Sequence, residues 1–148
     1  MDSVSEDKGV GWKNPPAKEI DDLLKKSKVI AVVGLSSEVS RPSHGVASYL
    51  KKQGYTIIPV NPKEGAILGE KSYPDLRSIP LTVDIVDVFR RPDAALSITE
   101  EAIAIGAKAV WLQEGIVSIP AFHRGKEAGL LMIMDRCVFK EHSRMINR

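Results

Sequence analysis

The sequence predicts an α/β protein whose parallel sheet is doubly wound, with helices on both faces. Three observations carry that expectation. Five short apolar runs recur along the 148 residues, separated by segments with helical spacing. The runs are apolar on both faces, as strands inside a parallel sheet are. Glycine or proline punctuates most changes of element. Such connections cross over right-handed, and no repeat or second domain interrupts the pattern.

The elements follow in order. Residues 1–13 are polar and aperiodic and are expected to form a flexible arm ahead of a single domain at 14–148. Asn14 before Pro15 predicts a helix start, a capping amide followed by a first-turn proline. Ile20, Leu23 and Leu24 continue that helix. "KVIAVVG" (28–34) is the first strand. Val46, Tyr49 and Leu50 mark the next helix, which Gly54 ends. "YTIIPV" (55–60) is the second strand, and "NPKEG" is a turn. "AILGEKSYPDLRSIP" is a long connection with a small β excursion. "VDIVDVF" (83–89) is the third strand, interrupted by Asp84 and Asp87. Pro92 and Asp93 open a helix carrying Ala95, Ile98, Ala102 and Ile105 on one face. "AKAVWL" (107–112) and "LLMIM" (130–134) are the last strands, with a helix at 119–129 between them and another from Val138 to Met145.

Composition narrows the function classes. Lys and Arg number 21 against 19 Asp and Glu, for a net charge of +2. That balance gives no electrostatic case for nucleic acid or an anionic membrane. Cys137, the single cysteine, makes neither an intramolecular disulfide nor a zinc site. "MDSVSEDKGVGWKNPP" lacks the apolar core of a signal peptide. No run approaches the roughly 18 apolar residues of a membrane span. A cytoplasmic protein is expected.

In open parallel sheets, ligands sit beyond the C-terminal strand ends. There the sequence delivers "GLSS", "NPKEG", "FRRPD", "QEG" and "DRC". Gly34 suits a tight turn, and the amides and dipole of the following helix attract phosphate. Ser36, Ser37 and Ser43 offer hydroxyls, and Arg41 a charged fork. Ser43 is equally readable as a plain helix cap. An NAD site would carry an acid after the second strand. Asn61, Pro62 and Lys63 stand there instead, with Glu64 displaced beyond the proline. A lysine suits an extra ribose phosphate, which both NADP and coenzyme A carry.

The stretches "VVGLSS…RPSHGVASYLKKQGYTIIPVNPKEGAILGEKSYPDLRSIP", "VDVFRRPD", "EEAIAIGAKAVWLQEGI" and "AGLLMIMDRCVFKEH" resemble the small single-domain CoA-binding proteins. The same Rossmann-like CoA-binding domain opens the α subunit of succinyl-CoA synthetase. The resemblance implies that CoA is held by Gly34, Ser36 and Ser37, by Lys63 in "NPKEG", and by Leu112, Gln113 and Glu114 in "LQEG". Phe89 and Arg90 correspond to a segment lining the nucleotide. The synthetase's phosphorylated histidine lies in a further domain with no counterpart here, so the resemblance implies binding of CoA or a short acyl-CoA without complete catalytic machinery. An NADP- or acyl-CoA-using enzyme and a metabolite-sensing regulatory subunit are the alternatives. Self-association or an unknown protein partner stays open.

The remaining chemistry-bearing residues carry less. His44, His123 and His142 have no metal-ligand spacing, so no metal site is expected. No G-x-S-x-G elbow supports a serine triad. Cys137 follows the last strand, where a buried inert thiol and a partner for the CoA thiol are both readable. Trp111 is expected in the core, and Asp84 and Asp87 as strand-end or pairing residues.

Overall fold

A computed structural model describes residues 11–148. The expected arm at 1–13 lies mostly outside the described residues, but the packed chain already includes Trp12. Its buried ring sits 5.7 Å from that of Phe122. The first helix, α1 (Ala17–Lys26), starts later than the Asn14–Pro15 pair predicts. Two consecutive prolines hold the chain extended there, because a residue before proline avoids helical geometry. Asn14 caps a strand end rather than a helix: its amide donates to Met134 O and accepts from Met134 N, both at 2.8 Å.

Strand β1 (Val29–Val33) leads to α2 (Pro42–Lys52) and β2 (Thr56–Val60). The predicted β excursion is a two-residue hairpin, β3 (Ala66–Ile67) and β4 (Glu70–Lys71). Its turn residues Leu68 and Gly69 both have positive φ, the geometry of the tightest hairpins. Next come β5 (Ile85–Val88), a 3-10 turn at Pro92–Ala94, α3 (Ala95–Ala104) and β6 (Ala109–Leu112). Helix α4 (Ile119–Glu127), β7 (Leu131–Ile133) and α5 (Val138–Ile146) complete the chain.

The main sheet is wholly parallel, in the order β2-β1-β5-β6-β7. Its side chains alternate between two cores. Ala31, Val33, Val86, Val88, Val110 and Leu112 face α3 and α4. Ile30, Val32, Ile57, Ile85, Trp111 and Ile133 face α1, α2 and α5. Helices therefore cover both faces, as the sequence predicts. Each buried Ile or Leu contributes roughly 1.5–3 kcal/mol. Helix α4 packs closely on β7, because Gly125 leaves its side-chain space to Met132.

The two strand aspartates diverge. Asp84, at the N-terminal edge of the sheet, accepts from Lys28 N at 2.8 Å and Val29 N at 3.0 Å and pairs with Lys108 at 3.3 Å. Burial raises its pKa, but the two amides and Lys108 outweigh burial and hold the carboxyl below its usual range. It is the strand-end residue the sequence suggests. Asp87 has no exposed surface, and neither carboxylate oxygen has a hydrogen-bond partner. Burial pushes its pKa well above the ordinary value.

The strand order locates the ligand edge. From β1 the chain crosses outward to β2, then returns past β1 to β5. The crossovers leave β1 in opposite directions, so a crevice opens at the C-terminal ends of β1 and β5.

Candidate functional site

A cleft of about 590 Å³ occupies that crevice, within the usual size range of small-molecule sites. Gly34 forms its floor. The backbone turns there with φ +89°, and Gly34 N continues the β1–β2 ladder by donating to Val60 O at 2.9 Å. A methyl group at this position would lie 2.5 Å from Phe89 O. The chains leaving β1 and β5 approach each other so closely that only glycine fits.

The serines behind Gly34 organise the loop. Ser43 Oγ accepts from Ser36 N at 3.0 Å, and Ser36 Oγ accepts from Glu38 N at 3.0 Å. Ser43 is therefore no helix cap. It lies inside α2, buried, while Arg41 occupies the N-cap without a side-chain capping bond. Ser37 Oγ donates to Glu64 at 2.8 Å, and Asn61 Nδ2 donates to Leu35 O at 2.9 Å. These two bonds tie the "NPKEG" turn to the loop after β1.

Arginines crowd the cleft. Arg41 reaches Glu38 at 3.4 Å, and Arg91 reaches Asp93 at 2.8 Å, both pairs well exposed. Arg90 has no carboxylate partner among the described residues, and its Nε stands close over Gly34. Arg91, like Arg41, occupies an N-cap position, here of the 3-10 turn leading into α3. A guanidinium cannot accept a hydrogen bond from the helix amides. It also meets the positive end of the helix dipole. Both caps thus leave cationic, donor-rich corners facing one space.

The far side is built by the loops after β6 and β7. Gln113 is buried, its Nε2 donating to Arg136 O at 3.3 Å and its Oε1 accepting from Val138 N at 3.4 Å. Trp111 Nε1 donates to the same carbonyl at 2.9 Å. These contacts fix the start of α5, whose N-cap is Cys137, a half-buried free thiol lining the cleft. Glu114, the only carboxylate of the lining among the described residues, pairs with Lys140 at 3.0 Å. That bond holds the Lys140 ammonium above its usual pKa.

Gly34, Ser36, Arg41, Ser43, Phe89, Arg90, Gln113 and Glu114, all singled out in the sequence, line this one cleft. Ser37, Asn61, Pro62 and Lys63 are outside the lining, and the Leu112 side chain is wholly within the core. The lining also includes Arg91 of "FRRPD" and Cys137, both noted at the strand ends in the sequence, and Pro42, Val46, Pro92 and Ile116, which the sequence candidates omit. Pro42, Arg91 and Pro92 had a signal in the repeated Arg-Pro dipeptide after the first and third strands, since proline at a first helical position leaves arginine at the cap. Among the described residues no group of His, Cys, Asp and Glu could hold a metal, and no helix is long and apolar enough to cross a membrane.

The family model described as a CoA binding domain matches residues 28–143. The chain belongs to this CoA-binding family. Its match begins at β1 and runs into α5, so it takes in every loop of the cleft. The chain is 42% identical over 130 residues to the protein YneT of Bacillus subtilis, covering 88% of this chain and 96% of that one. A hypothetical protein from Pyrococcus horikoshii superposes with a TM-score of 0.87 at 35% identity, covering 99% of both chains. The chain is also 34% identical over 103 residues to ADP-forming acetate–CoA ligase I of Archaeoglobus fulgidus. That match covers 70% of this chain but 14% of the ligase, so this CoA-binding chain spans a small part of that protein's length.

Proposed function

We propose that the cleft binds coenzyme A, or a short acyl-CoA, chiefly through its phosphates. The observation that carries the proposal is the gathering of Arg41, Arg90 and Arg91 around Gly34, with two of the three at helix N-caps. Like charges held beside helix N-termini raise the free energy of the empty site. A polyanion lowers it through charge-assisted bonds. Arg90, free of a carboxylate, is assigned to the pyrophosphate. Lys63 stands on the turn tied to the same loop, which supports a role at the 3′-phosphate. Phe89, Val46 and Ile116 offer apolar wall to the pantetheine arm.

Holding the ligand, rather than transforming it, is the activity proposed. No histidine is part of the lining, and Glu114 is engaged by Lys140. The protein would serve as a reader or carrier of CoA, as a metabolite-sensing subunit does.

Titration calorimetry with CoA, dephospho-CoA and NADP tests this. CoA is expected to bind most tightly. Arg90→Ala should weaken CoA and dephospho-CoA alike, by about 1.5–3 kcal/mol, the worth of one charged hydrogen bond. Lys63→Ala should weaken CoA more than dephospho-CoA. Binding of NADP without binding of CoA would overturn the proposal.

A further inference from the structure

We infer that Cys137 forms a mixed disulfide with the pantetheine thiol of CoA, so that the cleft captures CoA covalently from a CoA-containing disulfide. The inference rests on the CoA-binding proposal above and extends it to the sulfur end of the ligand. The cleft has two chemically distinct ends. Loops after β1 and β5 supply its arginines, whereas loops after β6 and β7 supply Gln113, Ile116 and Cys137. If the phosphates lie among the arginines, the pantetheine arm has one direction to run, along the strand ends toward β7. Two inter-strand steps separate β1 from β6, whose Trp111 and the following Gln113 hold the start of α5. At about 4.8 Å each they span roughly 10 Å. An extended pantetheine arm covers that distance and ends in its thiol.

Cys137 is held ready at that end. Its backbone begins α5, and Gln113 and Trp111 pin that start to β6. The side chain is half-buried and lines the cleft, so the sulfur is reachable from the ligand side. Sulfur therefore faces sulfur once the nucleotide is seated, and proximity raises the effective concentration of the reacting pair.

The step is thiol–disulfide exchange. Cys137 loses its proton, and the thiolate attacks one sulfur of a symmetrical CoA disulfide. The S–S bond of that molecule breaks as the new S–S bond to Cys137 forms. The second CoA leaves as a thiolate and takes up a proton. One disulfide is consumed and one is made, so no further oxidant is needed.

Because Cys137 is the single cysteine in the sequence, intact-protein mass spectrometry reports this reaction without ambiguity. The reduced protein is incubated with CoA disulfide, and in parallel with pantethine, which has the same disulfide but no nucleotide. The expected result is one CoA adduct, formed about tenfold or more faster than the pantetheine adduct. Arg90→Ala should reduce that preference, and Cys137→Ser should give no adduct. Absence of the adduct, or equal rates with both disulfides, overturns the inference. Calorimetry of wild-type protein with reduced CoA under reductant separates the two proposals. Binding without a directed adduct removes this inference alone, whereas absence of binding removes the CoA reading itself.

Discussion

Replacing Asp87 by asparagine should change how stability depends on pH. The carboxyl lies in the middle of the sheet, between Val32 of β1 and Trp111 of β6, with no exposed surface and no hydrogen-bond partner for either oxygen. Burial disfavours its charged form and raises the folded-state pKa well above the ordinary value. In the unfolded chain the same group ionises near pH 3.9. Between these two values the folded protein keeps a proton that the unfolded chain releases. Stability is therefore greatest below the unfolded value and falls as pH rises toward the folded one. The slope for one such group is about 1.4 kcal/mol per pH unit. Asparagine has nearly the same volume and does not titrate, so the variant lacks this slope.

Urea unfolding at pH 5 and pH 6 measures it. The stability of Asp87→Asn relative to wild type should improve as pH rises across that unit, by no more than the linkage limit of about 1.4 kcal/mol. Taking the difference between the two proteins removes contributions they share, His142 among them. Parallel stability curves over this range would refute the reasoning, because they would mean that Asp87 is ionised in the folded protein and has partners the structure does not show.

Gly34→Ala should cost about 2 kcal/mol or more and abolish CoA binding, because the new methyl meets Phe89 O at 2.5 Å in a backbone of positive φ; thermal unfolding and calorimetry check both effects. His142 gives the opposite pH response to Asp87. Burial holds its pKa below the ordinary value, and its Nδ1 lies 2.7 Å from Tyr49 Oη. Its contribution is present above the unfolded value near 6.5 and is lost as pH falls below it. The melting temperature of wild type should therefore drop more between pH 7 and pH 5 than that of His142→Gln.

Much of the fold was legible because a buried parallel strand leaves a local mark. "VIAVV" and "AVWL" are apolar throughout, and each became a strand with both faces covered. What stayed hidden depended on partners distant in sequence. Asn14 has the form of a helix cap, yet its partner is the backbone of Met134, 120 residues away. Ser43 likewise has the form of a cap, until Ser36 N is found beside it. Gln113 stands where a ligand contact is expected, but its amide is spent on the start of α5. Strand order is equally nonlocal, and it decides that the loops after the first and third strands share one crevice.

The cleft is marked most clearly by local rules that its own helices break. Helix α4 also starts at the C-terminal edge of the sheet, and it starts conventionally: Ser118 is the N-cap and accepts from Ala121 N at 3.2 Å. Helix α4 contributes nothing to the cleft lining. Helix α2 and the turn into α3 border the cleft, and there the cap is arginine, which cannot accept that bond and repels the dipole. Replacing a good cap typically costs about 1 kcal/mol. Stability alone gives no reason to accept that cost twice in one crevice. The proposed CoA binding supplies one, because a phosphate answers the free amide end and dipole of α2, and the two guanidinium groups add to its hold. Ser36 and Ser43 accept bonds from the amides of the first loop, while Ser37 donates to Glu64 of the neighbouring turn. These bonds fix the loop's shape, and under the proposed CoA reading the arginines carry the charge that glycine-rich dinucleotide loops leave to backbone amides alone.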